Sequence, residues 1–296
     1  MTTDFRSGFV SFVGRPNVGK STLTNSLAGE KIAITSSKPQ TTRRAIRAIV
    51  NRPLGQLILV DTPGVHRPRT LLGERLNDLV STTLSDVDVI AFCSPANEPI
   101  GPGDRHIVAD LDKYPKAKRI AIVTKSETVS REKLANHLLE VSKLSNWLEI
   151  VPVSAKTNDQ VELLADLLIR YLPVSVALYP DDLATEESEE MRICELVREA
   201  ALEEVSDELP HSLAVTLDEI TYPEGEKPQV HVSLWVERDS QKGIMIGHKG
   251  SRLRDIGSKA RGEIQRLMGQ PVHLAIQVRV APDWQRNPKQ LGKLGF

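Results

Sequence analysis

One stretch near the start of the chain has the residue types and spacing of a phosphate-binding loop. Residues 14–21 read Gly-Arg-Pro-Asn-Val-Gly-Lys-Ser, between an apolar run and a helical pattern. The glycines allow a tight turn whose N–H groups converge on phosphate oxygens. The lysine supplies a charge for the outer phosphates, and the serine hydroxyl is a ligand for Mg2+. The predicted phosphate-binding residues are Gly14, Asn17, Val18, Gly19, Lys20, Ser21, Thr22 and, further along the chain, Gly64.

A second group of residues could hold the metal ion that accompanies the phosphates. Asp61 follows the apolar run 57–60, where a carboxylate is placed to hold Mg2+ through water, and Gly64 allows an N–H to approach a terminal phosphate. The polar stretch 35–44, called the switch loop below, offers hydroxyls that could complete the coordination when a third phosphate is present. We predict Ser21, Thr42 and Asp61 as Mg2+ ligands, and Thr41, Thr42, Asp61 and Val65 as switch residues.

Two short motifs that follow later strands indicate the base of the nucleotide. With Thr124-Lys125-Ser126-Glu127 and Ser154-Ala155-Lys156 in this order, residues 8–172 resemble the GTPase domain of translation-factor-class small GTPases. The resemblance implies that the carboxylate pairs with the N–H groups of guanine, that the lysine packs on the base, and that an amide of the second motif contacts the guanine oxygen. It implies a guanine site formed by Thr124, Lys125, Glu127, Ser154, Ala155 and Lys156.

The first of these motifs departs from the usual pattern at two positions. Glu127 stands where the family has aspartate, and Thr124 stands where asparagine is commoner. Glutamate keeps both acceptor oxygens but adds a methylene, so the contact with the base must shift. Guanine remains the predicted base, because a buried carboxylate would repel the acceptor N1 of adenine and leave it unpaired.

The residue after Gly64 bears on how hydrolysis is arranged. Val65 occupies the position where many signalling GTPases have a glutamine that orients the attacking water. In relatives with an apolar residue there, the asparagine of the phosphate loop, here Asn17, can hold a K+ ion near the developing charge. Asn17 could equally be only a loop-stabilising residue. We expect slow intrinsic turnover that is faster in K+ than in Na+.

The last third of the chain contains a possible nucleic-acid site. Gly247-His248-Lys249-Gly250 lies between two helical patterns, and the order helix–strand–strand–helix–helix–strand resembles a type II KH domain. A G-x-x-G sequence alone is often only a turn. In KH domains this loop clamps the backbone of a single strand of about four nucleotides. The predicted RNA-binding residues are Ile244, Ile246, Gly247, His248, Lys249, Gly250, Arg252 and Arg254.

The elements that would position these residues divide the chain into two parts. Short apolar runs alternate with amphipathic helical patterns up to Leu172, which predicts an α/β P-loop domain with a mixed, mostly parallel six-stranded sheet. An α+β arrangement follows it. We predict a GTPase domain over residues 1–175, a linker over 176–190, and the KH domain with a C-terminal tail over 191–296.

Composition and charge support an RNA-binding protein of the cytoplasm. Residues 179–237 carry 3 Lys and Arg against 17 Asp and Glu, a net charge of −14, whereas residues 238–296 carry 12 against 4, or +8. A basic segment of this kind suggests a surface for a polyanion, although charge runs are often only solvated faces. Apolar runs stay shorter than the ~20 residues of a membrane span. The two cysteines, Cys93 and Cys194, lie far apart in the sequence and do not have the spacing of metal ligands. A reducing compartment, in which both stay free thiols, is the simplest interpretation.

The combination of motifs closely resembles one family, the Era family of bacterial ribosome-assembly GTPases. The resemblance rests on Pro-Gln-Thr-Thr-Arg in the switch loop, Ile-Gly-His-Lys-Gly in the KH part and a terminal Leu-Gly-Phe. It implies a GTPase that uses Mg2+, binds 16S ribosomal RNA near its 3′ end, and assists maturation of the 30S subunit. It further implies stimulation of hydrolysis by RNA, a monomer, and a cytoplasmic location with a fraction on the inner membrane face.

Other functions compete with this hypothesis. An RNA-binding assembly chaperone with a merely structural nucleotide would account for Val65 and Glu127, but intact Lys20 and Asp61 favour turnover. A membrane-associated signalling GTPase would leave the KH groove unexplained. A double-GTPase ribosome factor is disfavoured, because this chain has one phosphate loop.

Overall fold

The computed structural model describes residues 4–36, 38, 41–64, 68–205 and 209–296, without the side chains of 210 and 211. Two compact units are present. The first comprises residues 1–35, 42–67 and 76–186, and the second comprises residues 36–41, 68–75 and 187–296.

A six-stranded sheet forms the centre of the first unit. Its order is β2-β3-β1-β4-β5-β6, and every neighbouring pair is parallel except β2 and β3. Every residue of β3 and of β4 is buried, as expected for strands with both faces covered. The mixed, mostly parallel sheet predicted from the sequence is confirmed. The strands are β1 (Arg6–Val13), β2 (Ile46–Arg52), β3 (Gly55–Asp61), β4 (Val89–Pro95), β5 (Lys118–Thr124) and β6 (Ile150–Pro152).

Helices cover this sheet with two separate apolar clusters. One cluster unites α1 and α5 with side chains such as Phe12 and Leu57, and the other unites α2, α3 and α4 with side chains such as Phe92 and Ile90. Two helices begin at residues that favour a helix N-terminus. Pro102 is the first residue of α3, and the Ser130 hydroxyl, just before α4, accepts the N–H of residue 133. The helices are α1 (Lys20–Ala28), α2 (Leu71–Asp86), α3 (Pro102–Asp110), α4 (Arg131–Ser142) and α5 (Val161–Tyr171).

Most of the segment predicted as a linker is bonded to the first unit. The Gln56 side chain, completely buried in β3, accepts the N–H groups of residues 178 and 179 and donates to the carbonyl of Tyr179. Further along, the N–H of Ile49 donates to the carbonyl of Ala184, and the Thr185 hydroxyl donates to the carbonyl of Arg47. Residues 178–186, called the strap below, therefore run beside β2, and the division between the units falls after residue 186, inside the segment 176–190 predicted as a linker.

The second unit contains a three-stranded sheet covered by helices. β8 pairs antiparallel with β7 and parallel with β9. Ile256, Ala260 and Ile264 form the buried stripe of α8, at the spacing of one helical face. The predicted element order is confirmed, and α9 is an additional element. The elements are α6 (Glu189–Glu203), β7 (Ala214–Thr221), β8 (Gln229–Val236), α7 (Asp239–Ile246), α8 (Ser251–Met268), β9 (His273–Val280) and α9 (Pro288–Lys293).

Among the described residues, no helix combines the length and the apolar character that crossing a membrane requires.

Candidate nucleotide site and RNA interface

The phosphate loop connects β1 to α1, and its backbone requires glycine at two positions. A Cβ atom on Gly14 would lie 2.6 Å from the carbonyl oxygen of Cys93, which is closer than atoms can approach. Gly19 has φ of 99°, in the left-handed region that glycine adopts at no steric cost. Asn17 also has a positive φ, 65°, which asparagine tolerates better than most residues. The loop is therefore held as a narrow turn at the start of α1.

Lys20 is the charged group inside this turn. Its ammonium donates to the carbonyl oxygens of Gly14 at 3.2 Å and Arg15 at 3.0 Å, and the residue is only 6% exposed. Burial lowers the pKa of Lys20, while the negative charge of Asp61 acts in the opposite direction. A phosphate group would provide this buried cation with a further counter-charge.

Three oxygen-bearing side chains predicted as metal ligands lie together. The Ser21 hydroxyl donates to Asp61 Oδ2 at 2.6 Å, the Thr42 hydroxyl donates to the same oxygen at 3.2 Å, and the two hydroxyls are 3.1 Å apart. Asp61 is completely buried, which raises the pKa of its carboxyl group. Among the described residues its Oδ1 atom has no hydrogen-bond partner. An all-oxygen cluster with an unpaired buried carboxylate oxygen suits a hard divalent cation such as Mg2+.

A cavity of about 200 Å³ adjoins the phosphate loop. Glu127, the residue that departs from the usual aspartate, is among the residues that line this predicted place of the base. Its walls include Leu23 and Val153, which the sequence argument missed because apolar residues there read as core. The complete lining is Gly19, Thr22, Leu23, Thr124, Lys125, Glu127, Val153, Ala155 and Lys156.

The loop that carries Thr124 and Lys125 is fastened to the phosphate loop. The Thr124 hydroxyl donates to the carbonyl of Val18 at 2.5 Å, and the Lys125 ammonium donates to the carbonyl of Asn17 at 2.9 Å. Lys125 has φ of 56°, and this left-handed turn ends β5. These bonds hold the predicted base-binding and phosphate-binding segments in a fixed register.

The remaining predicted nucleotide residues occupy several positions. Ser154 is buried outside the cavity lining, and its hydroxyl accepts the N–H of residue 157, which shapes the turn after β6. The Val18 side chain belongs to the core, so only its backbone is available to a ligand. Gly64 lies against Pro16, and a Cβ atom there would come within 3.0 Å of the proline nitrogen. Thr41 lies in the switch loop, and Val65 lies outside the described residues.

Arg15 is a phosphate-loop residue that the sequence argument missed. Its Nε donates to Asp104 Oδ1 at 2.9 Å, and its Nη2 lies 3.0 Å from a carboxylate oxygen of Glu98. The Asp104 side chain is fully buried at the start of α3 and also accepts the N–H of Gly101. Because 89 residues separate the partners, no local sequence pattern could reveal this ion pair.

The G-x-x-G loop of the second unit turns sharply between α7 and α8. Gly247 has φ of 72° and Gly250 has φ of 78°, and a Cβ atom on Gly247 would come within 2.8 Å of the Cβ of Arg252. His248 and Lys249 are exposed at its tip, where a nucleic-acid backbone can approach them closely.

The side chains around this loop differ in exposure. Ile244 is 46% exposed and Ile246 is half-buried, so both present some apolar surface beside the loop. Arg254 is exposed on α8, whereas Arg252 folds back and donates to the carbonyl of Ile244 at 2.5 Å. The structure thus brings the predicted RNA-binding residues together around one turn.

Comparisons with known proteins match both units. A family described as 50S ribosome-binding GTPase matches residues 9–125, and the KH domain family matches residues 208–285. GTPase Era of Nocardioides sp. (strain ATCC BAA-499 / JS614) is 60% identical over 301 residues, covering 98% of this chain and 96% of the relative. GTPase Era of Streptomyces coelicolor is 56% identical over 304 residues, covering 99% and 96%.

Two solved structures share the whole architecture. One is a substituted Era of Aquifex aeolicus bound to GDP·AlF4−, and the other is Era in complex with MgGDPNP and nucleotides 1506–1542 of 16S ribosomal RNA. Each is 34% identical, has a TM-score of 0.94, and covers 98% of this chain and 99% of its own. With such identity over almost its entire length, this chain belongs to the Era family of GTPases.

Proposed function

We propose that this GTPase binds 16S ribosomal RNA near its 3′ end and uses GTP hydrolysis to time its release during maturation of the 30S subunit. The observation that carries the proposal is the presence on one chain of a phosphate loop with gathered metal ligands and an exposed G-x-x-G loop. The related Era structure with MgGDPNP and a 16S fragment supports the same pairing of ligands.

Mg2+ is the proposed metal ion of the nucleotide site. Ser21, Thr42 and Asp61 would hold it, and Asp61 Oδ1, which has no hydrogen-bond partner among the described residues, is available to a bound water. The ion would neutralise charge that develops on the phosphates. Lys20 and the backbone N–H groups of the phosphate loop would bind the phosphate oxygens, and Glu127 would accept from the base.

K+ is proposed as a second ion, held by Asn17. The backbone of Asn17 is fixed in a left-handed conformation, and its carbonyl is occupied by the Lys125 ammonium. A cation beside the phosphates would supply positive charge in cis, as an arginine finger does in trans. Turnover measured in equal concentrations of KCl and NaCl tests this role, and identical rates would remove it.

Nucleotide-dependent RNA binding is the central test. Affinity for a 16S 3′-terminal fragment should be higher with GDPNP than with GDP. The double variant His248→Asp/Lys249→Asp should weaken RNA binding at least tenfold, because two carboxylates would face the RNA backbone, while GDP affinity stays unchanged.

The test also separates the proposal from its rival. Lys20→Ala should abolish nucleotide binding and the difference between the two nucleotide states. If RNA affinity were the same with GDP, GDPNP or no nucleotide, the assembly chaperone with a structural nucleotide would replace the switch.

We further propose that the protein acts as a monomer in the cytoplasm, with a fraction at the inner membrane face. Fractionation of cells would test the location, and light scattering would test the monomer. Recovery of the protein in the periplasm would contradict the proposed location, and a stable dimer would contradict the proposed monomer.

A further inference from the structure

A charged side chain on α6 is buried almost completely. Arg198 is 1% exposed and is among the largest fully buried side chains of the chain. Arginine is rarely buried to this extent unless its guanidinium is paired, because removing the charge from water is costly. The contacts of the Arg198 guanidinium must therefore account for its burial.

The guanidinium has two partners within the second unit. Nε donates to Glu195 Oε1 at 2.9 Å, and Nη2 donates to Glu195 Oε2 at 2.5 Å, so one carboxylate fixes the plane of the group. Nη2 also donates to the backbone carbonyl of Thr41 in the switch loop, and residues 36–41 belong to this unit. Nη1 is buried and has no hydrogen-bond partner among the described residues. The Thr41 carbonyl oxygen is therefore an important hydrogen-bond partner of the Arg198 guanidinium, whose donors are only partly paired among the described residues.

The hydrogen bond from Arg198 to the Thr41 carbonyl also positions the backbone N–H of Thr42. The carbonyl of Thr41 and the N–H of Thr42 belong to the same planar peptide group. Thr42 in turn places its hydroxyl 3.2 Å from Asp61 Oδ2 and 3.1 Å from the Ser21 hydroxyl. The Arg198 contact and a proposed Mg2+ ligand thus lie on adjacent residues joined by one peptide bond.

We propose that Arg198 is a positioning residue for the GTP-bound switch loop, acting through the Thr41–Thr42 peptide. It holds this peptide where the Thr42 hydroxyl can reach the metal ion. The inference rests on the proposed Mg2+ role of Thr42.

Binding of fluorescent GDP and GDPNP to the full-length protein tests the role. Arg198→Met keeps the length and burial of the side chain but removes every donor. We expect it to raise the Kd for GDPNP about tenfold and the Mg2+ concentration needed for half-saturation, with the Kd for GDP within twofold, because only the triphosphate uses Thr42. Arg198→Lys should restore part of the GDPNP affinity, since it keeps one donor. Arg192→Met, on the same helix, is the matched control and should leave both affinities unchanged.

A merely structural arginine would behave differently. It would lower both affinities in parallel or change only the unfolding temperature, and either result would overturn the proposal. If Arg198→Met does not fold, Glu195→Gln removes the charge that orients the guanidinium and should still weaken GDPNP selectively, by about threefold. Equal effects on GDP and GDPNP would then be decisive against it.

A further variant separates this inference from the proposed function. Thr42→Ala should weaken Mg2+-dependent GDPNP binding whether or not Arg198 has a role. If Thr42→Ala has no effect, the proposed metal site is wrong, and the inference is refuted with it. If Thr42→Ala acts and Arg198→Met does not, only the positioning role is refuted.

Discussion

Replacing Thr124 with valine removes the hydroxyl that joins the base-binding loop to the phosphate loop. Thr124 is 4% exposed and donates to the Val18 carbonyl at 2.5 Å. Valine has nearly the same shape, so packing is retained while the carbonyl loses this donor. An unsatisfied buried group costs about 1–3 kcal/mol, and we expect the free energy of unfolding to fall by that amount.

Nucleotide affinity should fall as well, because a ligand that spans the cavity must then order two loops that have lost one of the hydrogen bonds between them. A loss of ~1.4 kcal/mol corresponds to a tenfold weaker Kd for GDP. Urea unfolding and titration with fluorescent GDP measure the two quantities. Thr124→Ser, which keeps the hydroxyl, is the matched control and should stay close to the parent protein in Kd. If Thr124→Val retained full stability and full affinity, the assigned bond between the loops would be wrong.

Three further predictions concern other parts of the chain. Burial lowers the pKa of His137, whose Nε2 lies 2.9 Å from the Ser94 hydroxyl. The unfolded chain therefore binds a proton at this residue more readily than the folded chain does, and the free energy of unfolding should fall as pH drops below about 6.5. Urea unfolding of His137→Asn between pH 5 and 7.5 should show a flatter profile, and an unchanged profile would contradict the argument. Arg15→Gln should slow turnover and raise the KM for GTP severalfold in steady-state assays, because Asp104 then loses its charged partner and the phosphate loop its anchor; unchanged kinetics would refute that role. Trp284→Ala should destabilise the second unit by about 3–5 kcal/mol in thermal unfolding, since the side chain is completely buried; a loss under 1 kcal/mol would be inconsistent with that burial.

Local patterns were sufficient to predict most of the fold. Alternating apolar runs and amphipathic stretches located the sheet and the helices of the first unit, and the element order predicted for the second unit includes the adjacent strands β7 and β8. The short α9 was missed, because its six residues are too few for a periodic signal.

The candidate site was predicted less completely, for a physical reason. Motifs identify residues that touch a ligand, because spacing along one loop is preserved in space. The contacts that hold those loops join residues far apart in sequence, as with Thr124 and Val18 or Arg15 and Asp104. The burial of Arg198 had no local signal either, because its contact with the Thr41 carbonyl joins residues 157 positions apart.

The strap beside β2 has a consequence for the isolated GTPase domain. β2 is the outermost strand of its sheet. The edge of β2 that faces away from β3 pairs with residues 184 and 185. An unpaired strand of this kind can recruit strands from other molecules. A fragment that ends at residue 175 would therefore tend to aggregate through β2, whereas one that ends at residue 186 carries its own edge protection and should remain dispersed.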